Sequence, residues 1–404
     1  MRHLIVFSHL RWSFVYQRPQ HLLTRLAANY RIVFIEEPVR CDGPAHFERH
    51  PQGPRIEVLV PRTPVESHGF HDDQLSAVAP LLHSYLRDRA IDDYVVWFYT
   101  PMALPLITDL RPRAVVYDCM DELAAFKDAP QQLRQREAAL LKMSDVVLTG
   151  GPALYEAKVT FNPNVHCLPS AVDSAHFAPE RVGHDASDER NAAAELLGDI
   201  PSPRLGFFGV IDERLDIALL TALADARRDW HLVMVGPIVK IDPRLLPDRA
   251  NIHWLGMQSY ARLPHLAASW DVCLLPFALN ESTRFISPTK TLEYMAAGKP
   301  IVSTAIRDVA LLYSDVVRIA ADTPSFIAAC NELLAESRHE REARVRRMAE
   351  TVSRYSWDKT ADTVHRLIEC AYQPVPSARQ IPLSSTSCDA PSSSGKLEFA
   401  RLAT

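Results

Sequence analysis

Basic charge is not in excess. The 404 residues carry 44 Lys+Arg against 49 Asp+Glu, a formal net charge of −5 with neutral histidine. A protein that works by neutralising a phosphate backbone shows the opposite balance, so nucleic acid is not the expected partner. Cysteine is sparse and unpatterned. The seven cysteines (Cys41, Cys119, Cys167, Cys273, Cys330, Cys370 and Cys388) form no CxxC, and no histidine pair stands beside them. This argues against a disulfide framework and a zinc site and fits a reducing compartment. Long apolar runs are missing as well. Residues 4–7 (LIVF) are soon followed by His9 and Arg11, too short a run for a signal-peptide core. No run reaches the roughly 18 residues that would span a bilayer. The expectation is a cytoplasmic protein, with peripheral attachment to the inner face of the membrane left open.

What is present is a globular composition, 47% apolar and 23% charged, enough to bury a core. At roughly 150 residues per domain, two or three domains are expected. Apolar runs at 4–7, 31–36 (RIVFIE), 94–99 (YVVWFY), 114–118 (AVVYD) and 146–149 are continuous rather than alternating. That is the pattern of parallel strands covered on both faces, and residues 20–29 read as the helix after the first. Strand–helix alternation implies right-handed βαβ units in a doubly wound sheet. The rhythm stops between 179 and 203, which is polar and Pro-containing, and resumes at 204–209 (RLGFFG), 230–236, 252–256, 272–276, 300–304 and 316–319. The predicted fold is α/β, with two Rossmann-like domains facing across a cleft. The boundaries are 1–180 for the first domain, 181–203 for a linker, 204–354 for the second domain and 355–372 for a helix crossing back. Residues 373–404 are rich in Ser and Pro, cannot bury enough surface to offset their ordering entropy, and read as a disordered tail.

In open α/β sheets ligands bind outside the carboxyl ends of the strands. Two such domains would take one ligand each, which favours a two-substrate transferase. The most informative stretch is 280–300, NESTRFISPTKTLEYMAAGKP. A helix starting near Ser287 and Pro288, as N-cap and first residue, would turn free N–H groups and a positive dipole toward a phosphate. Thr289 and Lys290 lie in that first turn, and Glu293 one turn on suits a ribose diol. An ordinary capped helix with a solvated lysine is the alternative. Gly209 permits a tight turn, and Arg214, at the start of the next helix, suits bidentate phosphate contact; Asp212 as a helix cap with a surface arginine is the plainer reading. Gly236 and Gly256 end two further strands and allow close approach of a nucleobase. In the first domain the strand ends offer His9, Arg11 and Trp12, then Tyr99 and Thr100, then Asp118, Asp121 and Glu122. Trp12 suits a sugar face or a core cap. Asp118 and Asp121 suit an acceptor hydroxyl, the donor sugar or plain capping. Arg18 is open to either role.

GVIDERLD, HLVMVGP, NIHWLGMQSYARLPHLAASWDVCLLPF and SPTKTLEYMAAGKPIVST together resemble the donor half of GT-B glycosyltransferases, closest to the retaining family 4. CLPSAVDSAHFAP resembles that family's nGVDxxxF segment with Ser170-Ala171 in place of Asn-Gly, and RYSWDKTADTVHRLI its final helix. HLRWSFVYQRPQHLLTRLA is similar to a bacterial cell-surface polysaccharide branch of teichuronic-acid type. The resemblance covers about residues 1–372 and is more specific in the second domain. The chain departs from the family in three places. Glu293 fits the second glutamate of the family's Glu-x7-Glu, but Phe285 stands where the first belongs and Glu281 is out of register. The diphosphate-neutralising cations are rearranged, with Arg214, Lys290 and Arg284 as candidates. No Gly-rich loop follows the first strand.

The resemblance implies transfer of a sugar from a nucleotide-diphospho-sugar to a glycan or lipid-linked acceptor, with retention. Asp118, Asp121 and Lys290 would be catalytic. Gly209, Arg214, Gly236, Gly256, Ser287, Pro288, Thr289, Lys290 and Glu293 would bind donor, and His9, Arg11, Trp12 and Tyr99 acceptor. No DxD motif stands in the donor half, so no metal and no cofactor are expected. A GT-B epimerase of the nucleotide sugar and a non-enzymatic nucleotide-sugar-binding protein are the alternatives.

Overall fold

The computed structural model describes residues 1–126, 129–184 and 188–372; the tail at 373–404 lies outside them. The first sheet contains β1 (His3–Ser8), β2 (Arg31–Glu36), β3 (Val39–Arg40), β4 (His46–Pro51), β5 (Ile56–Thr63), β6 (Tyr94–Phe98), β7 (Val115–Cys119), β8 (Val146–Thr149) and β9 (Val165–Cys167). Their order is β3-β5-β2-β1-β6-β7-β8-β9, with β4 antiparallel on β5 and every other pair parallel. The second sheet contains β10 (Arg204–Phe208), β11 (His231–Val235), β12 (Ile252–Trp254), β13 (Val272–Leu275), β14 (Ile301–Thr304) and β15 (Arg318–Ala320). It runs β12-β11-β10-β13-β14-β15, all parallel. Chain order reverses between β1 and β6 in one sheet and between β10 and β13 in the other. Each reversal leaves a crevice at the carboxyl ends of the strands.

The continuous apolar runs have the cause expected of them. Along β1, Ile5 and Phe7 enter one core while Leu4 and Val6 enter the core on the opposite face; β2 and β6 split in the same way. The second sheet and its helices form a third core. The C-terminal helix Trp357–Ala371 packs Trp357, Ala361, Val364 and Ile368 into the core beneath the first sheet, a 4-3-4 spacing that keeps one helical face buried. The predicted linker is not an irregular connection throughout. Pro179–His184 and Asp188–Leu197 are helical, and Ala193 and Leu197 join the third core, that of the second sheet. Residues 188–197 read as polar because only that one stripe is apolar.

An aromatic ladder ties the two domains along one wall of the cleft. His21 stacks on Trp357 (4.8 Å, 8°), Tyr16 on Tyr260 (4.8 Å, 25°) and His176 on Tyr260 (4.3 Å, 12°). Burial, with Arg25 and His176 adding to it, pushes the His21 imidazole down to about 3. Above its unfolded value of about 6.5 the ring is neutral in both states. As pH falls from there toward 3, the unfolded chain takes up a proton that the folded chain refuses, so stability is lost. Urea unfolding should show that decline between about pH 6.5 and pH 3, and His21→Gln should decline less steeply by about one proton. Parallel curves for the two proteins would contradict it.

Candidate active site in the interdomain cleft

A cleft of about 420 Å³ opens between the carboxyl ends of the two sheets. Donor-side candidates lining it are Gly209, Arg214, Gly236, Ser287, Pro288, Thr289, Lys290 and Glu293; Asp121 and Arg18 line it from the first domain. A larger cavity of about 780 Å³ lies at the opposite edge of the second sheet and holds none of these residues.

The second-domain wall of the cleft is built around Lys290. Gly209 ends β10 with φ +142°, and a Cβ there would lie 2.6 Å from Lys290 Cε and 2.9 Å from Nζ. Gly209 is therefore required because the lysine stem crosses it. A Cβ on Gly236 (φ +149°) would run into the Gly209 carbonyl. Its backbone N–H donates to the Gly256 carbonyl at 2.8 Å, extending the sheet past the strands. The neighbouring strand end thus requires glycine at 236, and its backbone also lines the cleft. Gly256 lies outside the cleft lining and is glycine for its backbone conformation, φ +65°.

The Lys290 ammonium sits 5.4 Å from the ring centroids of both Phe207 and Phe277, a setting in which cation–π attraction partly replaces water. Burial, and then the neighbouring Arg214, lower its pKa, opposed by Glu293, Asp212 and Asp121. Burial raises the Glu293 carboxyl, and Lys290 opposes that rise. The two side chains stand one helical turn apart and both face the cleft. Arg214 is held in a fork by Asp212, with Nε 3.0 Å from both carboxylate oxygens and NH2 2.7 Å from one.

Two local expectations are corrected here. Ser287 and Pro288 do not start the helix, which runs Lys290–Ala296 without a side-chain cap. Ser287 and Thr289 are drawn across the cleft instead: Thr289 Oγ1 donates to Ser170 Oγ at 3.0 Å, and Ser170 Oγ to the Ser287 carbonyl at 3.4 Å. Arg214 does not start a helix either. The next helix is Ile217–Ala226, capped by Asp216.

The first-domain assignments divide. Asp121 lines the cleft opposite Lys290 and Arg214. Burial raises its carboxyl, while Arg214, Lys290 and Arg18 pull it down. Asp118 does not reach the cleft. It is fully buried, its two oxygens each 3.0 Å from Arg18 Nε, and Arg18 NH1 donates to the Leu168 carbonyl at 2.9 Å. Tyr99, 1% exposed, packs in the core against Trp97 and lines no acceptor wall. Arg11 donates to Glu36 Oε2 at 2.9 Å and to the Glu37 carbonyl at 2.6 Å; the Trp12 N–H donates to Glu36 Oε1 and its ring meets Phe34 edge-on. Both residues fold the loop after β1 onto the end of β2, which takes them out of the proposed acceptor site. His9 lies at that strand end with Nδ1 unpartnered. Burial pushes it down to about 4, with Lys240 of the second domain adding to the shift and the Tyr99 backbone opposing it.

Phe285, at the family's glutamate position, packs against the first domain's core, and Arg284 covers its ring at 5.2 Å. Arg284 also pairs with Glu281 at the surface and stands apart from the phosphate candidates. The structure adds residues that lie within the quoted family segments but have no role assigned there. Phe14 and Tyr16 line the cleft from the first domain, Met257 and Tyr260 from the second, and Ser170 bridges the two. Their sequence signal is membership of those segments and position in loops that follow strand ends. Among the described residues no group of three or more His, Cys, Asp and Glu side chains is placed to hold a metal ion, and no helix is long and apolar enough to cross a membrane.

Residues 202–336, which contain the second-domain wall of the cleft, match the family described as glycosyl transferases group 1. The match covers all six strands of the second sheet. The chain is also similar to the putative teichuronic acid biosynthesis glycosyltransferase TuaH of Bacillus subtilis. They share 25% identity over 290 residues, 67% of this chain and 71% of that protein. Among solved structures it resembles sucrose-phosphate synthase from Thermosynechococcus elongatus, with TM-score 0.70 and 16% identity over 92% of this chain and 99% of that one. It also resembles HepE of Anabaena, in complex with UDP and glucose, with TM-score 0.64 and 16% identity over 92% and 100%. The structural likenesses span both sheets, so the fold is GT-B; the family match and the likeness to TuaH are both to glycosyltransferases.

Proposed function

We propose that this GT-B glycosyltransferase moves a hexosyl group from a nucleotide-diphospho-sugar to a glycan or lipid-linked acceptor, with retention and without metal, in cell-surface polysaccharide synthesis. The observation that carries the reading is the convergence of Lys290, Arg214 and Glu293 on one cleft wall, with Asp121 opposite. Lys290 and Arg214 neutralise the charge that develops on the leaving diphosphate, a contribution that rises in a site with little water. Glu293 accepts from the ribose diol, and Asp121 orients the acceptor hydroxyl or the donor sugar. The name of TuaH supports a cell-surface polysaccharide, and the UDP and glucose bound to HepE support the donor class. A cytoplasmic location, peripheral on the membrane's inner face, belongs to the same reading.

Thermal shift against UDP, GDP, dTDP and ADP tests it, because a ligand selective for the folded state raises apparent stability. One nucleotide should stabilise the protein with or without EDTA. Stabilisation by none of them would sink the donor assignment, and dependence on added Mg2+ or Mn2+ would sink the metal-free part. Incubation with donor alone separates transfer from epimerisation: intact or slowly hydrolysed donor fits transfer, and an epimerised sugar fits the alternative.

Glu293→Ala is expected to weaken donor and free nucleoside alike, by about tenfold, since a carboxylate accepts two hydroxyl hydrogen bonds and alanine none. Asp121→Asn, nearly isosteric, should leave donor affinity in place and lower kcat. Calorimetry beside steady-state kinetics checks both. Normal donor binding by the Glu293 variant would remove it from the ribose site.

A further inference from the structure

The helix Pro152–Lys158 begins at the carboxyl end of β8, and its N-cap Gly151 supplies no side-chain cap. The acceptor it lacks comes from the other domain. Asp308, second residue of the helix Arg307–Tyr313 after β14, takes the Ala153 N–H on Oδ1 at 3.1 Å. Its other oxygen, Oδ2, is buried without a partner, and the residue is 1% exposed. A Cβ on Gly151 would overlap Oδ2 and come within 2.8 Å of Ser287 Cβ; the backbone there is extended, so the glycine serves space and not conformation. Arg307 pairs with Glu156 on the same two helices at 2.5 Å. This seam borders the cleft, because Ser287, which faces Gly151, and Gly150, next to it in the chain, line the cleft.

We infer that Asp308 is a positioning residue for transfer: by capping a helix of the opposite domain it holds the cleft closed, so that the Ser287–Lys290 segment meets the Asp121 edge. The inference rests on the donor reading of that cleft. Closing the seam buries a carboxylate that an open cleft would hydrate. Buried, the Asp308 carboxyl is raised to about 6, opposed by the Ala153 N–H and then Arg307, with Glu156 adding to the rise. Cys167 and Tyr313 also feel its charge. A group whose pKa is higher in the closed form takes up a proton on closing, so closure is favoured as pH falls from about 7 to 5.

The test is small-angle scattering of the full chain at pH 5, 6 and 7, with donor KM and kcat for the same proteins. The wild type should contract as pH falls. Asp308→Ala should give a larger radius of gyration at every pH and raise donor KM about tenfold, the factor expected if a tenth of the molecules remain closed. Asp308→Asn should recover most of that loss, since an amide oxygen still accepts from the Ala153 N–H, and its scattering should no longer respond to pH. A folded Asp308→Ala with wild-type scattering and KM overturns the inference. So does an Asp308→Asn protein that keeps the wild-type pH response, which decides the matter if the alanine variant does not fold. Scattering needs no donor, so a wild type that binds no nucleotide would fail the donor reading while this arm still judges the clamp.

Discussion

Lys290→Ala is expected to lower kcat/KM for the donor by about 10²–10³-fold, the usual cost of removing one preorganised group from developing transition-state charge. The lysine is fixed before any ligand arrives. Its stem lies against Gly209 and its ammonium between Phe207 and Phe277. No reorganisation is needed when charge builds on the leaving diphosphate. Arg214 cannot take its place, because Asp212 already holds the guanidinium on two sides. The loss should fall on nucleoside-diphosphate affinity and on kcat, with free nucleoside binding unchanged. Steady-state kinetics with calorimetry on both ligands measures this. An equal loss for nucleoside and diphosphate would mean that Lys290 only supports the wall.

Asp118→Ala is expected to destabilise the protein by about 3–5 kcal/mol, because it leaves the Arg18 guanidinium buried and unpaired. Arg18 has an anchor of its own in the Leu168 carbonyl, so it cannot swing out to water without disturbing the strand end beside it. Urea denaturation should show the loss. At denaturant-free conditions, where the variant is still folded, donor affinity should stay near wild type, since the donor groups belong to the other domain. Wild-type stability with abolished turnover would return Asp118 to the catalytic role that its place in the sequence suggests.

The difference between Asp118 and Asp121 marks where sequence reading stops. Both carboxylates end β7 or follow it in one short stretch, and nothing in the motif says which faces water. The answer depends on Arg18, 100 positions away, reaching back from the first helix. Arg11 and Trp12 fail for a similar reason: their partners, Glu36 and Phe34, belong to another strand. Most of the two sheets was legible, because strands buried on both faces are continuous apolar runs. The edge strands β3, β4 and β9 were not: β4 is mostly polar and β3 and β9 are very short. β5 was obscured by Pro61. In the donor wall, Lys290 and Glu293 were readable because one helical turn sets their spacing. The bend that takes Ser287 to Ser170 follows from contact between the domains, and no local pattern encodes it.

The central claim is that the cleft wall formed by Lys290, Arg214 and Glu293 binds the diphosphate and ribose of a nucleotide sugar. Calorimetric titration of the wild-type protein with the stabilising nucleoside and its diphosphate, side by side in EDTA, tests it most directly. Charge-assisted hydrogen bonds from two cations, roughly 1.5–3 kcal/mol each, predict that the diphosphate binds at least about a hundredfold more tightly. Equal affinity for nucleoside and diphosphate would contradict the account.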